Sequence, residues 1–414
     1  MTRIYSTLTF LFISILGHAQ LTPEITSWII NTTGETGYSG IETNVQQVQY
    51  SDNNVYISCT CIPGYDIGPW PTNPNVPTNQ NFVYKITRFP VENTGTLIKT
   101  PLGHIGVWSN GVSIFNAMDA FSYNNLGIWN QNAVVVEGIS FDECLGHPAP
   151  NGEYHHHLNP TCLYDDQDST VHSPIIGYAF DGFPVYGAFG YKNADGTGGI
   201  TKMRTSFHER AITERTSLPD GTALSVAQYG PAVSGTYPLG YYLEDFEYIP
   251  GSGDLDAHNG RFCITPDYPD GIYAYFVTLD ADGNAAFPYT IGTEYYGTVQ
   301  AGNTGPGSGH NTITESVETY TSIGALDGNE IDMMIYPNPA ADYVNVFIEP
   351  AYQNNLNATL TDVTGKVIDT QVNMQPGITY TFDVRGLANG IYFIRLENEE
   401  AIGVKQITIN NYGQ

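Results

Sequence analysis

From residue 21 to about residue 300 the chain is written in short runs rich in β-branched and aromatic residues, such as NVYISCTC, GIYAYFVTLD and AAFPYTIG, each closed off by Gly, Pro, Asn or Asp. Runs of this length match strands rather than helices, and the punctuating residues supply the special backbone angles of tight turns. A chain patterned in this way buries its apolar side chains by pairing many short strands. Composition points the same way: 14% of residues are charged, against 44 Gly, 25 Pro and 30 Tyr, which leaves little of the Ala, Leu, Glu and Lys that long helices need. We expect a mainly β fold, β-rich from residue 20 to residue 300 without an internal boundary, and more than one domain in 414 residues.

The 42 acidic and 14 basic side chains give a formal net charge of -28. That charge repels nucleic acid and anionic lipid, and it favours cations and cationic partners. The one basic cluster, Lys202, Arg204, Arg210 and Arg215 in TKMRTSFHERAITER, reads as a short helix or an irregular excursion whose cations pair with the acidic surround. At the N-terminus Arg3, an apolar run from Leu8 to Leu16, and the small residues Gly17 and Ala19 have the three-part form of a signal peptide over residues 1–19. No later apolar run is long enough to span a bilayer as a helix, so an integral membrane protein is not expected. The five cysteines, Cys59, Cys61, Cys144, Cys162 and Cys263, all follow the signal and meet an oxidising compartment. Cys144 and Cys162 bracket a histidine run and form the favoured disulfide; Cys263 could then join Cys59 or Cys61, a choice that sequence does not make, and one thiol is left over.

From Ala301 the text becomes small and polar, AGNTGPGSGHNTITESVETYTS, and residues 301–330 read as a flexible linker. Alternating strands resume over 331–414 with turn chemistry between them, which predicts a small immunoglobulin-like β-sandwich. Here YPNPAADYVNV, LTDVTGKVI, GLANGIYFIRL and VKQITI stand in order at the chain terminus. Together they resemble the type A C-terminal sorting domain of the type IX secretion system of Bacteroidota, with Tyr336, Pro337, Asn338, Pro339, Gly365, Gly390 and Tyr392 as its motif positions. The resemblance implies the type IX machinery as a partner and a secreted or cell-surface destination, with a surface glycan or lipopolysaccharide as the point of attachment. On residues alone, an ordinary carbohydrate-binding or immunoglobulin-like module has the same pattern.

Between the disulfide cysteines lies NGEYHHHLNP, preceded by DECLGHPAP and followed by HSPIIGYAFDGFPVYGAFG. With GVWSNGVSIFNAMDAFSY upstream and DLDAHNGRFCITPDYPDGIYAYFVTLD downstream, residues 95–298 resemble the YHYH family, in which His156 occupies the second tyrosine of the motif. The resemblance locates a site and implies no particular reaction. On a strand, His155 and His157 share one face, while Tyr154 and His156 take the other. A His-x-His pair of neutral imidazoles suits a zinc or copper ion, and more ligands are needed to complete a site. His147 is the preferred third ligand, brought back if Pro148 to Gly152 turn. Asp181 and His172 are weaker candidates, as are Asp254, Asp256 and His258, which alternate in DLDAHNG as if on one face of an extended segment. Histidines beside tyrosines also build purely structural hydrogen-bond networks, and the residues alone leave both readings open.

LDADGNAAF begins like a calcium loop, but Gly283 is misplaced and Ile291 stands where a bidentate Glu is required, so it reads as a hairpin turn. No nucleophile elbow, phosphate loop or HExxH is present, and a Ser-His-Asp set drawn from the sequence would be arbitrary. The expected function is a secreted or surface protein that binds a transition metal. The alternatives are an extracellular metal-dependent enzyme, and a glycan-binding module whose histidines are structural.

Overall fold

The computed structural model describes residues 21–305, 307–320, 331, 333–348, 355–363, 365–398 and 402–410. The expected signal peptide, residues 1–19, lies outside them. The described structure is mainly β, with strands far outnumbering its few single-turn helices.

Two sheets build the main domain. The larger uses β4 (His104–Trp108), β5 (Ser113–Phe115), β6 (Gly146–Pro148), β7 (Tyr154–His156), β8 (Ile175–Ala179), β9 (Pro184–Tyr186), β10 (Gly260–Cys263) and β11 (Ile272–Phe276), in the spatial order β10-β11-β9-β8-β4-β5-β7-β6. It is mixed: β5 runs parallel to β7 and β9 parallel to β11, while the other neighbours are antiparallel. Strand alternation divides its side chains between two cores. Val107, Ile175, Tyr178, Tyr186, Ala274 and Phe276 face one. Trp108, Ile176, Ala179, Val185, Tyr273 and Tyr275 face the other. Burial on both faces explains why these runs read as continuous hydrophobic text rather than as alternation. The smaller sheet, β1 (Val45–Tyr50), β2 (Asn54–Cys59) and β3 (Phe82–Thr87), packs Val48, Val55, Ile57, Tyr84 and Ile86 into the first core.

The expected linker from residue 301 differs from what is observed. Residues Glu318–Tyr320 form a fourth strand, β12, antiparallel to β1. Ahead of it, Val83 N donates to Gly309 O, and Asn303 exchanges two hydrogen bonds with the backbone of Lys85. The outer edge of β3 has unpaired peptide groups, and Asn amides, which carry the same donor and acceptor as a peptide, satisfy them. Low hydrophobicity here marks a segment that covers an edge.

The C-terminal sandwich is present as expected: a three-stranded sheet (Met333–Tyr336, Tyr343–Ile348, Thr379–Asp383) and a four-stranded one (Leu356–Asp362, Val367–Met374, Gly390–Glu397, Ile402–Ile409). Their inner faces share a core of Val344, Val346, Leu360, Phe382, Ile394 and Ile407.

Cys144 and Cys162 form a disulfide. The partnership of Cys263 with Cys59 or Cys61 is not formed; all three are buried free thiols. Cys61 Sγ instead donates to Tyr154 O, and burial raises all three thiols above their ordinary pKa. The basic excursion contains no helix. It consists of two short ladders, Phe189–Tyr191 with Ile200–Lys202 and Phe207–Glu209 with Phe246–Tyr248. Arg204 pairs with Asp254 and Arg215 with Asp245, as the charge balance suggested. Asp280 closes its turn on Asp282 N and Asn284 N, which is the hairpin geometry expected of LDADGNAAF.

Candidate metal centre

The edge strand β6 and its neighbour β7 form a hairpin whose tip closes through Ala149 N to Glu153 O and Gly152 N to Ala149 O. Gly152 takes φ 81°, and a Cβ there would collide with Thr78, so the tip requires glycine. In this register His155 lies directly opposite His147 and beside Ser113 of β5. His147, His155 and His157 therefore meet on one face. Their Nε2 atoms converge, with 3.0 Å from His147 to His155 and 3.1 Å from His155 to His157. Glu137 supplies a fourth group, its Oε2 lying 3.0 Å from His147 Nε2 and 3.6 Å from His157 Nε2. All four candidate ligand atoms lie within 4.8 Å of one another.

The far side of each ring determines what the near side offers. His155 Nδ1 is 3.1 Å from Glu153 O, and His157 Nδ1 is 2.6 Å from Asn116 O. Both contacts require Nδ1–H. Ser140 Oγ donates its proton to Glu137 O and so accepts from His147 Nδ1, 2.7 Å away. Each imidazole thus carries its proton on Nδ1 and presents an Nε2 lone pair to the others, the arrangement that outer hydrogen bonds impose on metal-bound histidines. Lone pairs on His155 and its two neighbours, 3.0 and 3.1 Å away, repel unless a cation lies among them. A proton is a poor candidate, because burial, followed by the neighbouring rings, holds His155 well below its usual pKa, and burial also lowers His147. Burial would raise Glu137, but its polar contacts with His147, His157 and Asp119 outweigh burial and hold it below its usual pKa, so a carboxylate faces the same point as the Nε2 atoms. Next to it Asp119 is pushed up to about 6, first by burial and then by Glu137, so one carboxyl of the pair retains a proton more readily.

Aromatic rings wall the centre. Phe115 stacks on His155 at 3.7 Å between centroids, and Phe141 packs against His147 at 4.8 Å. The histidine side chains are nearly sealed, whereas Glu137 is 26% exposed. His156, on the opposite face, is fully buried against Tyr154 and Trp108, and burial holds it down to about 3.

The remaining candidates lie elsewhere. Asp254 is engaged by Arg204. Asp256 accepts from Tyr273 and His258 is held by Glu294 O; the segment is a turn closed by Asp256, so the expected extended face does not exist. His172 sits among Tyr186, Tyr191 and Phe276. Asp181 is buried under Tyr275 Oη, Gly297 N and Phe183 N.

Burial raises Asp181 to about 6, against these hydrogen bonds. A carboxyl whose pKa is raised on folding stabilises the native state fully below its unfolded value, and the contribution is lost as pH rises through the folded one. A rise of about two units is worth about 3 kcal/mol. We predict that the stability of the wild type relative to Asp181→Asn falls by this amount between about pH 4 and about pH 7 in urea titrations; a constant difference would contradict it.

Glu137 was not anticipated. Its signal was a lone carboxylate closing the apolar helix Ala133–Val136, ten residues before His147. The fold and this cluster define a β-rich domain with a buried His/Glu cluster, followed by a small β-sandwich. Residues 83–287 match the family model described as YHYH protein, and residues 334–410 match the secretion system C-terminal sorting domain. The chain is a YHYH-family protein with a type IX sorting domain, and it is secreted or displayed at the cell surface. No curated protein matches it. No helix among the described residues is long and apolar enough to cross a membrane.

Proposed function

We propose that the YHYH domain binds one transition-metal ion, zinc or copper, through Nε2 of His147, His155 and His157 and Oε2 of Glu137. The observation that carries this reading is the convergence of three imidazoles whose other nitrogens are already committed. Ligand atoms about 2.0 to 2.1 Å from a tetrahedral ion stand about 3.3 Å apart. The four contacts of 3.0 to 3.6 Å bracket that spacing. Three nitrogens and one oxygen, with no sulfur, suit zinc or copper and give no preference for calcium or magnesium.

Elemental analysis of the exported protein is expected to return about one equivalent of metal. The His155→Ala/His157→Ala variant is expected to return essentially none, with its far-UV circular dichroism preserved. Equal metal in both would sink the proposal. A second reading, a metal-dependent extracellular enzyme, draws support from Glu137, the ligand most open to solvent. Exchange of its carboxylate for water would free a coordination position, as catalytic sites require. Glu137→Gln is expected to keep the metal with affinity weakened by about 10- to 100-fold, measured by competition with a chromophoric chelator. Unchanged affinity would remove Glu137 from the ligand set.

A further inference from the structure

A second constellation lies on the other side of Phe115. His104 Nδ1 is 2.7 Å from Glu153 Oε1, and His104 Nε2 is 2.8 Å from Ser308 Oγ. Ser113 Oγ also donates to Glu153 Oε1 at 2.6 Å, which holds the buried carboxylate in place as an acceptor. With Nδ1–H committed to Glu153, His104 Nε2 faces the Ser308 hydroxyl, whose proton rests on Gly305 O and must turn to Nε2 for His104 to act as its base. These are the contacts of a nucleophile, its base and the group that orients the base. The three residues line a cavity of about 580 Å³ walled by Phe82, Leu102 and Phe115.

We propose that Ser308, His104 and Glu153 form an acyl-transfer site, independent of the metal centre, that hydrolyses small uncharged esters. Ser308 Oγ attacks the ester carbonyl, and its proton passes to His104 Nε2. The acyl C–O bond breaks, and that proton leaves with the alcohol. Water then attacks the acyl-serine, giving its proton through His104 back to Ser308 Oγ as the acid departs, so the sum is ester plus water to acid plus alcohol. Glu153 is a positioning residue that stabilises the imidazolium. The Ser308 hydroxyl lies between Gly305 O at 2.6 Å and His104 Nε2 at 2.8 Å, so a small side-chain rotation moves its proton from the carbonyl to the base. Gly305 and Gly307 also line the cavity. Apolar walls and the net charge of -28 select against anionic substrates.

The test uses the full exported chain, with and without chelator. A fluorophosphonate, which reports an activated serine whatever the acyl preference, is expected to form one adduct on Ser308 by peptide mass mapping. Hydrolysis of p-nitrophenyl butyrate is expected to fall at least about 100-fold in Ser308→Ala and His104→Gln. Under chelation it is expected to persist within a few-fold of the untreated level, the small loss being that of the loosened hairpin that carries Glu153. If His104→Gln fails to fold, Ser308→Ala, at a partly exposed loop position, carries the comparison alone. Absence of the adduct, absence of hydrolysis, hydrolysis that survives in Ser308→Ala, or hydrolysis lost on chelation each overturns the proposal. In the first three cases the trio is a structural ion pair, and in the last the chemistry belongs to the metal.

Discussion

Chelation is expected to lower the melting temperature of the protein by on the order of 10 °C, and readdition of the metal to restore it. A ligand bound only by the native state stabilises it according to its saturation, by about 4 kcal/mol at a thousandfold excess over its dissociation constant. In a domain of this size each kcal/mol moves the midpoint by roughly 2 to 4 °C. The site adds a reason for the effect to be large. With His147, His155 and His157 fixed as Nδ1–H tautomers, the apo state faces Nε2 atoms 3.0 and 3.1 Å apart. It must protonate a buried ring, rotate one away from its backbone acceptor, or admit water past Phe115 and Phe141. Each remedy loosens the β6–β7 hairpin, so amide exchange should accelerate at residues 146 to 157 while the C-terminal sandwich stays protected. Differential scanning fluorimetry with hydrogen exchange reads both. A midpoint unmoved by chelator, with unchanged exchange at the hairpin, would mean that the cluster is a hydrogen-bonded strut.

How far the sequence reached follows from what each residue's neighbours are. Strand alternation was enough to separate His155 and His157 from His156, because backbone pleating is local. His147 was reachable because the turn that returns it is only a few residues long. Glu137 was not, since its place depends on a single-turn helix packing beside Met118–Ser122, and nothing in the spacing of EGISFDECLGH encodes that contact. The trio DLDAHNG failed for the opposite reason. Its every-second-residue pattern is real, but Asp256 accepts from the amides of His258 and Gly260 and folds the segment into a turn. The covering segment after residue 301 was hidden by composition: Asn and Gly look like linker text, yet the Asn303 and Asn311 amides pair with the backbone of β3. The Ser308–His104–Glu153 geometry spans more than two hundred residues of sequence and could be seen only in three dimensions.

Arg215→Met is expected to destabilise the main domain by about 3 to 5 kcal/mol, a loss in which the orphaned partner matters more than the missing contact. Arg215 and Asp245 form a bidentate pair, at 2.7 Å for each bond, with both side chains fully buried. The remaining guanidinium donors reach Pro231 O, Tyr237 O and Pro238 O, so one side chain ties down three backbone positions of the loop that follows the basic excursion. Removing it leaves Asp245 buried with only the Tyr242 amide and its own hydrogen-bonded turn to hold the charge. Adding Asp245→Asn removes that charge and keeps an acceptor for Tyr242 N. The double variant is therefore expected to regain more than half of the loss in urea titrations, and a double variant no more stable than Arg215→Met would show that the carbonyl contacts dominate. The excursion lines a cavity of about 770 Å³ with Phe207, Leu218, Leu243 and Phe246, facing Asn116, Ala117 and Met118. His157 is held from Asn116 O, at the end of β5, rather than from the excursion. Metal content should accordingly stay at the wild-type level in Arg215→Met at temperatures where it remains folded, and a parallel loss of metal would reveal that the excursion and the histidine centre form one cooperative unit.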